Sequence, residues 1–526
     1  MSGFDPLARQ QEDTVTGRIW AGPCIDIPPG ATIPGLVAES TVRHADRIAL
    51  VDSMSGCVMS YGRLDASVAA VSSALRARGA GRGTVLAIYA PNSPAWVVAT
   101  LAVMRAGGAV SGASPLLKTD ELIRHLRLTK ARWLLTVPPL LDTAMAAAAE
   151  AGGVEVIVDG AATERAIAFS QLLAGSESGN GSVDPEVPAM LPFSSGTTSL
   201  PKPVVLTHRA LAASALQTCA ALGFRSDDTL LALAPFFFIL GSAIVLFGGL
   251  TAGAKLVIVS RFDFEAVLDA IERYRVSIAV LIPPILKMLA ERPEVDRRDL
   301  SALRLVVTGG TGVPAELEEK VARRLGVVVV QGYGMTETSA TIAINPPMAA
   351  RPGTCGKPFP LVQVRIVDPE TAIDRGPGEA GEVWTRGPQL MDGYFGNPEA
   401  TRQSFSADGW LRTGDLGFID ADGYLHLSGR LKEMIKVYAY QVAPAELEQL
   451  LATHPLVADA AVVGRPHEKA GEIPVAYVVA HTKIDPEDLM NWVAAHVAKY
   501  KQIRAVRFVD QIPRSPAGKI LRRLLT

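Results

Sequence analysis

Short runs of consecutive apolar, mostly β-branched residues punctuate this chain, and they constrain its fold more than any other feature. The stretches "TVLAIYA" (84–90), "ARWLLTV" (131–137), "VEVIVDG" (154–160), "AKLVIVS" (254–260), "SIAVLIP" (277–283) and "LRLVVTGG" (303–310) are of this kind. A strand with one wet face alternates apolar and polar side chains, whereas an unbroken apolar run suits a strand covered on both faces. Between the runs lie helical patterns such as "SPAWVVATLAVMRAG" (93–107) and "FEAVLDAIERYRV" (264–276). Strands and helices in alternation predict an α/β protein built on parallel sheets with helices on both sides. At 526 residues the chain exceeds what one hydrophobic core can organise, so more than one domain is expected. Near residue 380 the texture changes. "GEVWTRG" (381–387) and "GWLRTGDLGFIDADGYLHLSGR" (409–430) read as a small antiparallel region rich in Gly and Asp, and a C-terminal α+β domain begins close to Gly429.

Several classes are disfavoured by composition and pattern. A formal net charge of -2, with no run of Lys or Arg, provides no field for gathering nucleic acid. The four cysteines, Cys24, Cys57, Cys219 and Cys355, are scattered without a CxxC pair, which predicts neither a disulfide framework nor a structural zinc site. The opening "MSGFDPLARQ" lacks the basic and apolar regions of a secretory signal, so a cytoplasmic location is expected. Leu230–Leu250 is uncharged and long enough to cross a bilayer. It contains Pro235, Gly241, Gly248 and Gly249, however, and follows Asp227 and Asp228, so a buried strand leading into a buried helix is the better reading.

Chemistry concentrates in four stretches. "SSGTTSLPKP" (194–203) sets hydroxyls and backbone N–H groups beside a lysine, a composition suited to phosphate oxygens and, in isolation, equally suited to a surface turn. It is not a Walker A sequence. "QGYGMTETSA" (331–340) follows a strand with an aromatic, a threonine and a glutamate. "GWLRTGDLG" (409–417) places Asp415 in a glycine turn, and "PRSPAGKILRR" (513–523) presents Lys519. In this order, over nearly the whole chain, the four resemble the adenylate-forming superfamily of acyl- and aryl-CoA synthetases, luciferases and adenylation domains. The wording of "PFFFILG" (235–241), "GPQLMDGYFGNPEATRQSF" (387–405) and "QVAPAELEQLLATHPLVADAAVVG" (441–464) is most similar to 4-coumarate:CoA ligases.

The resemblance implies a role for each matching residue. Ser194, Ser195, Gly196, Thr197, Thr198 and Lys202 would clasp the phosphates of ATP, with Gly310 also in the nucleotide site. Tyr333 would stack on adenine, Thr336 would touch the α-phosphate, and Glu337 would hold magnesium. Asp415 and Arg430 would take the ribose hydroxyls, and Lys519 would bridge the attacking oxyanion and the α-phosphate. Phe238, Ile239, Leu240, Ala243, Gly310 and Gly334 would line the acid pocket. A large domain (1–428), a hinge (429–432) containing Lys432, and a small domain (433–526) would alternate between two half-reactions, with Lys436 and Gln441 contacting the adenylate phosphate.

The chain departs from the family pattern at several points. Ser199 and Pro203 stand where the phosphate loop has glycines, and Phe238 stands where a histidine is common. Tyr438 and Ala439 replace a Lys–Gly pair beside the thiol route, and Gly429 replaces an aspartate. The adenylation residues are intact while those of the CoA step are altered. Two functions therefore stay open. One is an ATP-dependent ligase that activates an aryl or hydroxycinnamate-type acid and passes it to CoA. The other keeps the adenylation and changes the acceptor, in particular an ATP-dependent diazotase that activates nitrite for attack by an aromatic amine.

Overall fold

The structure, a computed structural model, describes residues 18–175, 183–194, 201–310, 312–437, 440–467, 470–497, 499–515 and 518–525. Two nine-stranded sheets organise the large N-terminal domain. In the first, Val85–Tyr89 lies between Ala109–Ala113 and Trp133–Thr136, with Glu155–Val158 beyond, all parallel. In the second, Val328–Tyr333, Leu305–Thr308, Ile278–Leu281, Thr229–Ala232 and Lys255–Ile258 are parallel neighbours in that order. Val85–Tyr89, Ile278–Leu281 and Leu305–Thr308, each within one of the apolar runs, are buried at every residue.

Between the sheets lies the helix Pro94–Arg105. Ser93 caps it by accepting from the Trp96 N–H, and Pro94 opens its first turn. Trp96 to Met104 are buried without exception, and these residues join Leu86 and Val110 of one sheet to Leu230 and Ile278 of the other in a single core.

The uncharged run at 230–250 resolves as expected into a strand, Thr229–Ala232, and a buried helical segment. Its winding differs from the expectation. Leu240–Gly248 is π-helical and continues into the short turn Gly249–Thr251. Such winding is rare and concentrates at functional sites. Among the described residues no helix is long and apolar enough to cross a membrane.

The Gly/Asp-rich region forms the anticipated antiparallel sheet, with Gln363–Val367, Gly381–Arg386, Leu411–Ile419 and Leu425–Arg430 in sequence. Arg365 sits between the rings of Trp384 and Trp410, at 4.8 and 4.6 Å, and stiffens its outer face. Beyond it, Ile435, Val442, Leu447, Leu451, Val462, Val478 and Leu489 form a separate core in the C-terminal domain. There the hairpin Val457–His467/Gly471–Ala480 carries the helices Pro444–Ala452 and Pro486–His496.

Candidate active site

Parallel strands that end together open a crevice at their carboxyl edge. Leu281, Thr308 and Gln331 are in register at such an edge. The segments that leave it are the helix Pro283–Glu291, the Gly309–Gly310 turn, and Gly334 with the 3-10 turn Thr336–Thr338. From Thr229–Ala232, further along the same sheet, comes the loop bearing Phe238 and Ile239. Topology thus gathers the predicted acid-pocket residues on one rim. Phe238, Ile239 and Leu240 are half-buried, Ala243 is buried, and Gly310 is exposed. The rings of Phe237 and Phe238 lie 4.3 Å apart. Gly334 is there because the chain doubles back over it. Ser339 and Ala340 both take positive φ, at 47° and 92°, and a Cβ on Gly334 would lie 1.8 Å from the Ala340 carbonyl oxygen.

Four predicted residues converge beside that rim. The Tyr333 hydroxyl donates to Asp415 Oδ2 at 2.7 Å, and Arg430 Nε meets Asp415 Oδ1 at 2.9 Å. Asp415 and Arg430 are cross-strand partners in the antiparallel sheet, which explains their pairing although 15 positions part them in sequence. Tyr333 and Asp415 are 8% and 5% exposed. Burial pushes the Asp415 carboxyl above its usual range, and the Arg430 charge opposes that shift. The expectation for Tyr333 was a ring stacked on adenine. Its hydroxyl donates to Asp415, so the ring's orientation and the Asp415 carboxylate are held by one bond, which leaves the ring face uncommitted by that bond.

Lys519 arrives from the C-terminal domain. Its loop is closed by the bridge between Arg514 and Ile520, and Lys519 N–H donates to Ser515 Oγ at 3.2 Å. A Cβ on Gly518 would stand 3.8 Å from Pro284 Cδ, so the loop rests on the first turn of Pro283–Glu291 at the same rim. Burial, then the Arg430 charge, lowers the Lys519 ammonium to about 8, while Glu433 and Asp415 pull the other way. Arg522 anchors the strap behind it, reaching Glu433 Oε2 at 2.9 Å and Glu448 Oε1 at 2.7 Å.

The phosphate-loop stretch begins and ends on paired strands. Phe193–Ser194 runs antiparallel to Lys202–Thr207, with Ser194 opposite Lys202 and Phe193 opposite Pro203. The Pro203 carbonyl accepts from Phe395 N–H at 2.9 Å. Ser195, Gly196, Thr197, Thr198 and Ser199 lie outside the described residues, as do Tyr438 and Ala439. On its other side the Lys202 strand pairs with Gly393–Tyr394. Lys202 Nζ stands 5.2 Å from the centre of the Tyr394 ring, and the Tyr394 hydroxyl donates to Glu337 Oε1 at 2.8 Å.

Glu337 is 5% exposed, and its Oε1 accepts from the Tyr394 hydroxyl. No cluster of three or more His, Cys, Asp or Glu fit to hold a metal occurs among the described residues. One buried carboxylate suits a magnesium ion that is carried mainly by nucleotide phosphates, rather than one caged by protein. Thr336 is half-buried beside it.

In the segment expected to be the hinge, Gly429 has φ 150°, a conformation that disfavours any side chain, so the aspartate usual in the family would be strained there. The side chains of Lys432, Lys436 and Gln441 lie outside what is described. Their backbones belong to the turn Leu431–Glu433 and to the paired strands Ile435–Val437 and Tyr440–Val442, in which Lys436 and Gln441 are register partners. Residue-by-residue reading missed Tyr394 and Glu433. Tyr394 stood in plain view within "GPQLMDGYFGNPEATRQSF", but nothing local tied it to Glu337.

A crevice on a parallel sheet, roofed by a second domain whose half-buried lysine faces an Asp–Arg pair, is the arrangement of adenylate-forming enzymes. The AMP-binding enzyme family matches residues 37–395, and the AMP-binding enzyme C-terminal domain matches residues 446–519. The chain belongs to the AMP-binding enzyme family and is an AMP-forming ligase of the 4-coumarate–CoA ligase type. It is 38% identical over 520 residues to 4-coumarate–CoA ligase 5 of Oryza sativa subsp. japonica, covering 95% of each chain. Among solved structures it is similar to the anthranilate CoA ligase AuaEII in complex with anthranoyl-AMP, with TM-score 0.86, 28% identity, and 95% and 97% of the two chains covered. It is likewise similar to the amide bond synthetase McbA from Marinactinospora thermotolerans, with TM-score 0.85, 32% identity, and 94% and 99% covered.

Proposed function

We propose that this enzyme activates an aryl or hydroxycinnamate-type carboxylate as its AMP anhydride and then transfers the acyl group to CoA. The convergence of Lys519 with Asp415, Arg430 and Tyr333 at one sheet edge carries this reading. In the first half-reaction a carboxylate oxygen attacks the α-phosphorus of ATP, and the bond from that phosphorus to the bridging oxygen breaks, releasing pyrophosphate. Two anions must meet, so cations placed in advance lower the barrier. Lys519 stands between the incoming oxyanion and the α-phosphate, and Thr336 donates to the same phosphate. Ser194 to Lys202 hold the outer phosphates, and Asp415 with Arg430 holds the ribose. Glu337 would hold magnesium, which supplies positive charge to the leaving pyrophosphate. Phe238, Ile239, Leu240 and Ala243 form an apolar wall suited to a flat aromatic acid. After adenylation the small domain turns about residues 429–432, withdrawing Lys519 and bringing Lys436 and Gln441 to the adenylate.

Similarity along the whole chain to 4-coumarate–CoA ligases supports CoA as acceptor. A second reading, with an amine as acceptor, is favoured by Phe238, which puts a ring where related ligases have a polar group, and by the likeness to an amide bond synthetase. A matched assay separates them. The protein, ATP, magnesium and cinnamates with and without an amino substituent are combined with CoA, with an aromatic amine, or with nitrite, and products are identified by mass. A CoA thioester supports the proposal. An amide formed without CoA replaces the acceptor, and a diazonium product that requires nitrite replaces both the activated oxyanion and the acceptor; either leaves ATP-dependent adenylation standing. Absence of pyrophosphate exchange with every acid overturns the whole reading.

A further inference from the structure

Tyr394 has no role in the chemistry above, yet it touches both charged ends of the proposed triphosphate site. Its hydroxyl donates to Glu337 Oε1 at 2.8 Å, and its ring centre lies 5.2 Å from Lys202 Nζ. Backbone pairing fixes this geometry, because Val204 lies opposite Tyr394 and Val205 opposite Gly393. The following turn and helix fix it again. Tyr394 N–H donates to Thr401 Oγ1 at 2.9 Å, Thr401 Oγ1 donates to the Asn397 carbonyl at 2.9 Å, and Asn397 caps the helix Pro398–Ser404. A side chain held this firmly at both backbone and hydroxyl holds its neighbours in turn.

Resting on the adenylation reading, we infer that Tyr394 is a positioning residue that couples the phosphate-loop lysine to the metal-holding carboxylate. Its hydroxyl occupies one oxygen of Glu337 and aims the other at the cation that accompanies the nucleotide. Its ring face keeps the Lys202 ammonium on the phosphate side.

The two contacts have separate signatures. Tyr394→Phe deletes the hydroxyl and keeps the ring, whereas Tyr394→Leu deletes both. Binding of a nonhydrolysable ATP, α,β-methylene ATP, is measured by calorimetry with and without magnesium, beside ATP–pyrophosphate exchange as a function of magnesium concentration. In wild type, magnesium tightens nucleotide binding. In Tyr394→Phe that gain shrinks about tenfold, the weight of one lost hydrogen bond to a charged group. Its magnesium requirement for exchange rises in parallel, while the KM for the acid and the magnesium-free affinity stay at wild-type values. Tyr394→Leu loses magnesium-free affinity as well. A merely structural tyrosine would lower thermal stability and kcat with the magnesium dependence unchanged, and that result overturns the inference. Should wild type itself bind no nucleotide, the adenylation reading fails and this inference fails with it.

Discussion

Lys519 ties the proposed chemistry to a measurable pH dependence. Its ammonium is lowered to about 8, first by burial and then by Arg430, with Glu433 and Asp415 opposing. The charged form is the one needed to neutralise the attacking carboxylate, so activity must fall as pH rises through that value. About nine-tenths of the lysine is charged at pH 7 and about one-tenth at pH 9. The ratio kcat/KM reports the free enzyme, and it is expected to be flat near pH 7, halved at about 8, and to fall about tenfold per unit above. The kcat limb should lie higher, because bound phosphates favour the ammonium. Two variants check the cause. In Lys519→Arg, whose guanidinium stays charged, residual exchange should lack the alkaline limb. In Glu433→Gln, which removes an anion that raises the lysine, the limb should move to lower pH. ATP–pyrophosphate exchange between pH 6 and 10, in buffers of constant ionic strength, measures all three. A wild-type kcat/KM that stays flat to pH 10, or a limb that persists in Lys519→Arg, would refute the assignment of the charge to Lys519.

Three further outcomes are expected. Asp415→Asn leaves Arg430 facing a neutral amide and should cost about 2 kcal/mol, less than for a fully buried pair because Arg430 keeps a third of its side-chain exposure; a lower thermal midpoint and a raised KM for ATP would be seen together. Gly334→Ala cannot be accommodated without moving the Ala340 carbonyl, now 1.8 Å from where the methyl would stand, so exchange should fall at least about tenfold even in protein that remains folded by circular dichroism. Phe238→His restores a polar group to the acceptor route and should raise the rate of thioester formation relative to adenylate formation; single-turnover kinetics with preformed adenylate test this directly.

Much of the architecture was legible because it is local. The unbroken apolar runs marked strands buried on both faces, and the glycine turns marked the antiparallel sheet, since both patterns follow from what each segment must bury. The order of the motifs was enough to point to the chemistry. Which side chains meet was not legible. Asp415 finds Arg430 through sheet register, and Tyr333 reaches Asp415 from a different sheet, across 82 positions of sequence. The π winding at Leu240–Gly248 was equally hidden, because an all-apolar run has no polar face to report how it turns.

By itself, then, the sequence determined which segments are strands and helices, that a small C-terminal domain follows a large one, and which motifs bear the charges and hydroxyls of the candidate site. Tertiary structure alone decided that Tyr394 bridges Lys202 and Glu337, that the Tyr333 hydroxyl is spent on Asp415, and that the Lys519 ammonium is desolvated beside Arg430. The reason is physical. Secondary structure answers to neighbours a few residues away, whereas pairing, burial and charge depend on distances in space that only the packed sheets define.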